Sequence, residues 1–268
     1  MGSGLTNVDR IKVLLMKRLT PAFMIVGVQK AGTSALFAML AKHPGILAPT
    51  LKEMHFFDRP ERYLMGIKSC LSGFPRRPLR GTPLTFEATP SYVFVDEALG
   101  RVHKHFPFMK LVIVLRDPVH RAYSAWNMFR QINVDENGVD LRDGRSFADA
   151  VEEELSGIEV ASAHQYLARG DYAPQISRAF DIFGRDKVLL VAYPRLKHDP
   201  RAVVNDICEF VGIHAMPTEV DLGIKSNVRP YSSRIDQRLY EHLREYYSPR
   251  LEALWELIGE RMELNEAS

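Results

Sequence analysis

The chain has 268 residues, 46% of them hydrophobic and 25% charged, with a formal net charge of +2. That length supports one large domain with a sizeable core, and so small a charge argues against a protein that holds nucleic acid by bulk electrostatics, local basic patches aside. Two cysteines, Cys70 and Cys208, are too few for a disulfide framework and read as reduced thiols of a cytoplasmic protein.

Near the N-terminus, Ile11 to Leu19 is apolar but carries Lys12, Lys17 and Arg18, which makes it too short and too charged for a membrane span. It reads as a lead-in helix, so residues 1–20 form a lead-in segment and 21–268 the working domain. The first strong signal follows. Phe23 to Val26, with Val28 beyond Gly27, reads as a buried strand, Gly27 to Gly32 as a turn, and Ala35 to Lys42 as a helix ending before Pro44. A strand, a Gly-bounded loop and a helix aim backbone N–H groups at an anion. Gly27 and Gly32 have the spacing of a phosphate-binding G-x-x-x-x-G-K-[ST] loop. Thr33 occupies the lysine's place, however, and the lysine is Lys30, inside the loop. With no Walker-type metal site in view, the loop suits a phosphate outside a metal-bound triphosphate.

Gly45 to Pro60, GILAPTLKEMHFFDRP, places Glu53, His55 and Asp58 around Phe56 and Phe57. Residues 61–71 read as helical, and FPRRPLR (74–80) as a basic connector able to attract an anionic acceptor. Leu84 to Ala88 reads as a short strand leading into TPSY, Val93 to His105 as a helix, and Met109 to Leu115 as a second buried strand. Arg116 stands at the carboxyl end of that strand, where open α/β sheets bind ligands. Asp117 is a candidate N-cap, and Pro118 suits the first turn of the helix that carries Arg121 and Ser124. Gln131 to Arg145 is a long polar loop of the kind that often serves function.

Helical patterns follow at Phe147 to Leu155, Ala173 to Phe183 and Pro200 to Val211, with a third buried strand at Lys187 to Ala192. Leu222 to Ser233 is irregular and basic, and an amphipathic helix interrupted at Pro249 closes the chain over Ile235 to Gly259. Strands alternating with helices make this an α/β domain with a central, mainly parallel sheet flanked by helices. Trp126, Trp255, Tyr246 and Tyr247 read as core, and Arg121 as a structural ion-pair partner. His43, His103, His105 and His198 lack metal-ligand spacing.

Taken together, GVQKAGTS and VLRDPVHRAYSAW resemble the cofactor-binding signature of sulfotransferases that use 3′-phosphoadenosine-5′-phosphosulfate (PAPS). KEMHFFD, EATPSY and YLARGDYAPQISRAF are similar to segments of the glycosaminoglycan-type (heparan sulfate) and related bacterial enzymes, and the likeness runs through nearly the whole chain. The resemblance implies a single domain of P-loop-like sulfotransferase fold. It implies transfer of a sulfuryl group by in-line displacement to a hydroxyl, less readily an amine, with no metal required.

By position, the resemblance implies that Lys30 contacts the 5′-phosphosulfate and neutralises the bridging oxygen. Gln29, Ala31, Gly32, Thr33 and Ser34 complete that loop, and Arg116 with Ser124 binds the 3′-phosphate. Glu53 is then the general base, with His55 and Asp58 orienting the base or the acceptor. Lys225, Asn227 and Arg229 fall in a loop that closes over the cofactor. Phe57 and Tyr172 are further candidates for acceptor contact, and aromatic walls at Phe56 and Phe57 would raise the pKa of Glu53.

Ala88 stands where the glycosaminoglycan enzymes often carry a Lys, and neither the disulfide-bearing loop nor the membrane anchor of those secreted enzymes is expected here. These departures favour a cytoplasmic bacterial enzyme for a small-molecule, glycolipid or saccharide acceptor, compatible with a homodimer, without nucleic acid or stable membrane insertion. A P-loop kinase or NTPase is the main alternative, disfavoured by the displaced lysine and the lack of a Walker B pattern. A non-catalytic nucleotide-binding scaffold would keep Lys30 and Arg116 but have no need of Glu53.

Overall fold

Four apolar segments pair into one sheet in the computed structural model, which describes residues 18–132, 134, 140–223 and 234–265. The strands are β1 (Phe23–Gly27), β2 (Phe86–Ala88), β3 (Lys110–Leu115) and β4 (Val188–Ala192), in the order β2-β1-β3-β4 with every pair parallel. Phe23 lies opposite Phe86 on one side and Lys110 on the other, and Leu111 lies opposite Val188. A parallel sheet covered on both faces needs continuous apolar strands rather than alternating ones. Phe23–Val26 and Leu111–Leu115 meet that demand at 0% exposure. Burying each such side chain contributes roughly 1.5–3 kcal/mol.

The helices are α1 (Thr33–Leu40), α2 (Pro60–Leu64), α3 (Ile67–Ser72), α4 (Asp96–His105), α5 (Pro118–Gln131) and α6 (Phe147–Leu155). They continue with α7 (Tyr172–Phe183), α8 (Tyr193–His198), α9 (Pro200–Val211) and α10 (Gln237–Ile258). Asp117 caps α5 as its position suggests, accepting from the His120 amide at 2.8 Å. Asp199 caps α9 in the same way, and Gly212 ends it at φ 85.

Two predicted helices differ in detail. The expected helix at 61–71 divides into α2 and α3 because Gly66 turns left-handed at φ 81. The final helix, by contrast, runs unbroken through Pro249. Tyr247 before the proline and Leu254 after it are both buried, so packing on each side outweighs the missing amide bond. Trp126, Trp255 and Tyr247 belong to the core, while Tyr246 is half-buried under the Arg250 guanidinium. Arg121 is fully buried and donates to the Tyr166 carbonyl, and among the described residues it forms no ion pair of the expected kind.

Both cysteines are buried and free. Among the described residues, no helix is long and apolar enough to cross a membrane. The expected lead-in helix falls almost wholly in residues 1–17, outside the described residues, as do Asn137 and Gly138 of the long polar loop.

Strand order decides where the site lies. Connections leave β1 toward β2 on one side, and the later strands build out on the other, so a crevice opens beyond the carboxyl ends of β1 and β3. Val28 N donates to Val114 O at 2.9 Å and keeps those two ends together. Gly27 permits the approach of the chain leaving β2, since a Cβ there would lie 2.5 Å from Val93 Cγ1.

Candidate active site

The loop after β1 is shaped by two left-handed residues, Lys30 at φ 71 and Gly32 at φ 80. Gly32 occupies the N-cap of α1, and no side chain caps that helix. Its first-turn amides therefore keep the donor capacity that helix geometry leaves unused, at the positive end of the dipole. A Cβ on Gly32 would lie 2.9 Å from the Tyr193 ring, and the Arg116 guanidinium sits 4.8 Å from the centre of the same ring. Arg116 Nη1 donates to the Lys30 carbonyl at 2.8 Å. Loop, β3 terminus and the start of α8 are thus braced as one unit.

Arg116 and Ser124 are 7% and 6% exposed, Ala31 and Thr33 are buried, and Ser34 faces outward on the first turn. Gln29 Oε1 is buried without a hydrogen-bond partner. Amides, a lysine and a guanidinium form a donor set suited to phosphate oxygens, so these residues fit a phosphorylated nucleotide.

The second half of the site is the loop after α1. Glu53 and His55 both have positive φ, at 64 and 49. Lys52 Nζ lies 2.5 Å from Glu53 Oε1, and His55 Nε2 lies 3.4 Å from Glu53 Oε2. On its other side His55 Nδ1 donates to Asp58 Oδ2 at 2.7 Å, and the Ser91 hydroxyl donates to the same carboxylate oxygen. The result is a carboxylate–imidazole–carboxylate chain ending at Glu53.

Electrostatics follow from these contacts. Burial pushes the Glu53 carboxyl up, but the His55 hydrogen bond and the neighbouring Lys52 charge outweigh it and hold the group at about 2. Burial pushes the His55 ring down, yet its bonds to Asp58 and Glu53 carry it to about 9. Glu53 is therefore a carboxylate and His55 an imidazolium across the neutral range. Asp58 is held below its usual value, burial again being overcome by His55.

Three expectations are corrected. Glu53 has a lowered pKa rather than a raised one, because the His55 hydrogen bond and the Lys52 charge outweigh its burial, while Phe56 and Phe57 turn into the core. Phe57 is 0% exposed and packs edge-on against Phe56 and Tyr92, so it offers no surface to an acceptor. Tyr172 is also buried, and its hydroxyl donates to the Arg116 carbonyl at 2.7 Å, which makes it a support for that residue rather than a ligand contact. Lys225, Asn227 and Arg229 lie outside the described residues.

Sequence reasoning missed Lys52, Glu87, Thr89, Ser91, Tyr92 and Tyr193. Glu87 carried a usable signal, an acid between Phe86 and Ala88 inside a buried strand. It is 1% exposed, and burial pushes its carboxyl up to about 7. Ala88 is buried opposite Ile25, so the cation beside Glu53 comes from Lys52 instead.

Comparison with known proteins adds the following. Residues 20–235 match the family model described as "Sulfotransferase domain". The chain is 30% identical to human heparan sulfate glucosamine 3-O-sulfotransferase 6 over 267 residues, covering 91% of this chain and 73% of that protein. It is 29% identical to human bifunctional heparan sulfate N-deacetylase/N-sulfotransferase 3 over 204 residues, covering 72% of this chain but only 22% of that protein. Among solved structures, a sulfotransferase from Alicyclobacillus acidocaldarius aligns with a TM-score of 0.74 at 30% identity, covering 91% of this chain and 97% of that one.

Proposed function

The chain belongs to the sulfotransferase family, and from that premise we propose that it transfers a sulfuryl group from PAPS to a hydroxyl of a saccharide, glycolipid or small-molecule acceptor, with Glu53 as general base. The observation that carries this reading is the union of Lys30 and Arg116 at neighbouring strand ends, where one hydrogen bond ties the phosphate loop to the guanidinium. When bound, PAPS supplies the activated sulfuryl group together with a phosphate leaving group. Lys30 and the α1 amides of Gly32 to Ser34 would hold the 5′-phosphosulfate, and Arg116 with Ser124 the 3′-phosphate. Fixed donors there act where negative charge grows, which is the efficient place for them.

Glu53 accepts the acceptor's hydroxyl proton on a carboxylate oxygen. A carboxylate held at about 2 is ionised across the neutral range but weakly basic. The proton therefore moves late, after bonding to sulfur has made the hydroxyl acidic. His55, fixed by Asp58, keeps Glu53 ionised and aimed. Lys52 must yield one carboxylate oxygen when the hydroxyl arrives.

Incubation with radiolabelled PAPS tests the reading against heparan sulfate, its desulfated backbone and a simple phenol. Label is expected on at least one acceptor, in step with release of adenosine 3′,5′-bisphosphate (PAP). Retention of all label on PAPS, with ATP consumed instead, contradicts it.

A further inference from the structure

The conformations of Glu53 and His55, at φ 64 and 49, are ones that L-residues rarely adopt, and they persist only where the surroundings over-determine them. Here one distant segment grips the four amides that follow Glu53. Met54 N donates to Glu87 Oε1 at 3.3 Å, and His55 N donates to Thr89 Oγ1 at 3.4 Å. Phe56 N and Phe57 N both donate to the Tyr92 hydroxyl, at 3.1 and 3.5 Å. The Thr89 hydroxyl in turn donates to Glu87 Oε1, so one oxygen organises two of the four contacts. Glu87, Thr89 and Tyr92 are 1%, 0% and 0% exposed, and little water competes for these bonds.

We propose that Glu87 and Thr89 are positioning residues for sulfuryl transfer: they clamp the Met54 and His55 amides and thereby aim the Glu53 carboxylate and the His55 ring at the acceptor, touching neither substrate themselves. This rests on the reading of Glu53 as the base. The clamp needs Glu87 Oε1 as an acceptor, while Glu87 Oε2 is buried without a partner. A proton carried on Oε2 leaves Oε1 free for both Met54 and Thr89. The arrangement also explains why KEMHFFD and EATPSY belong together: the second motif supplies the acceptors for the backbone of the first.

The test uses Thr89→Val, which keeps the side chain's shape and deletes the hydroxyl, with Thr89→Ser as the rescue and Glu87→Gln as a variant that retains an acceptor oxygen. His55 is titrated by NMR in each, its signal assigned with His55→Gln, because that measurement needs neither donor nor acceptor. Wild type, Thr89→Ser and Glu87→Gln are expected to titrate at about 9. Thr89→Val is expected to fall by at least about one pH unit as the ring leaves its two carboxylates. With any acceptor that takes label, kcat of Thr89→Val should drop about tenfold at unchanged KM, with PAP affinity intact. If Thr89→Val does not fold, Thr89→Ala removes the same hydroxyl without added bulk. An unmoved His55 titration overturns the clamp, as do parallel losses of PAP affinity and thermal midpoint in both hydroxyl-deleted variants. Failure of wild type to transfer label would sink the sulfuryl-transfer reading, and the titration would still decide the clamp.

Discussion

Glu53→Gln will lose turnover by about 10²–10⁴ while its affinity for PAP stays near that of wild type. The amide keeps the volume and an acceptor oxygen but cannot take a proton, so the loss corresponds to roughly 3–5 kcal/mol of transition-state stabilisation. Binding should be spared because Glu53 sits in the loop after α1 with Lys52 and His55, while the proposed phosphate donors come from the β1 loop and Arg116. The pH profile supplies a second signature. Glu53 is depressed to about 2, so its pairing contributes above its ordinary value of 4.5 and is lost only as pH falls through about 2. His55 is raised to about 9, so its contribution is complete below 6.5 and is lost as pH rises through about 9. Activity should hold across the neutral range and fall on the alkaline side as the imidazolium deprotonates. Near-normal turnover in Glu53→Gln would remove it from the mechanism.

Arg116→Ala will weaken PAP binding by at least about tenfold, since each charge-assisted bond to a phosphate oxygen contributes roughly 1.5–3 kcal/mol. Adenosine 5′-monophosphate, which lacks the 3′-phosphate, should bind the variant almost as well as wild type. The control is needed because Arg116 also holds the Lys30 carbonyl and lies over Tyr193. Equal losses for both nucleotides would show that it braces the loop rather than reads the ligand. Arg116→Lys should recover only part of the loss, because an ammonium cannot replace a planar fork.

The parts of the fold visible in the sequence were those with short-range causes. Continuous apolar runs marked β1, β3 and β4, and Asp117-Pro118 marked the start of α5. Lys30 inside a Gly-bounded loop, with Arg116 ending the next strong strand, marked two residues that the structure brings together. Long-range causes stayed hidden. That Phe56 and Phe57 enter the core while Glu53 stays half-buried depends on amide bonds to Tyr92, a residue far along the chain. The direction of the Glu53 pKa depends on the distances to Lys52 and His55, which spacing alone does not give. Tyr193 carried no local signal, and it is the surface against which Gly32 and Arg116 are set. Packing on both sides of Pro249 likewise overrode a local breaker signal.

The crevice beyond β1 and β3 is expected to take a 3′-phosphorylated nucleotide without metal. Calorimetric titration with PAP and with ATP, each with Mg²⁺ and with a chelator, tests it most directly. Tight PAP binding that ignores the chelator, with ATP binding weaker by at least about tenfold, is the predicted result. Tight ATP binding that requires Mg²⁺, with PAP no better, would contradict it.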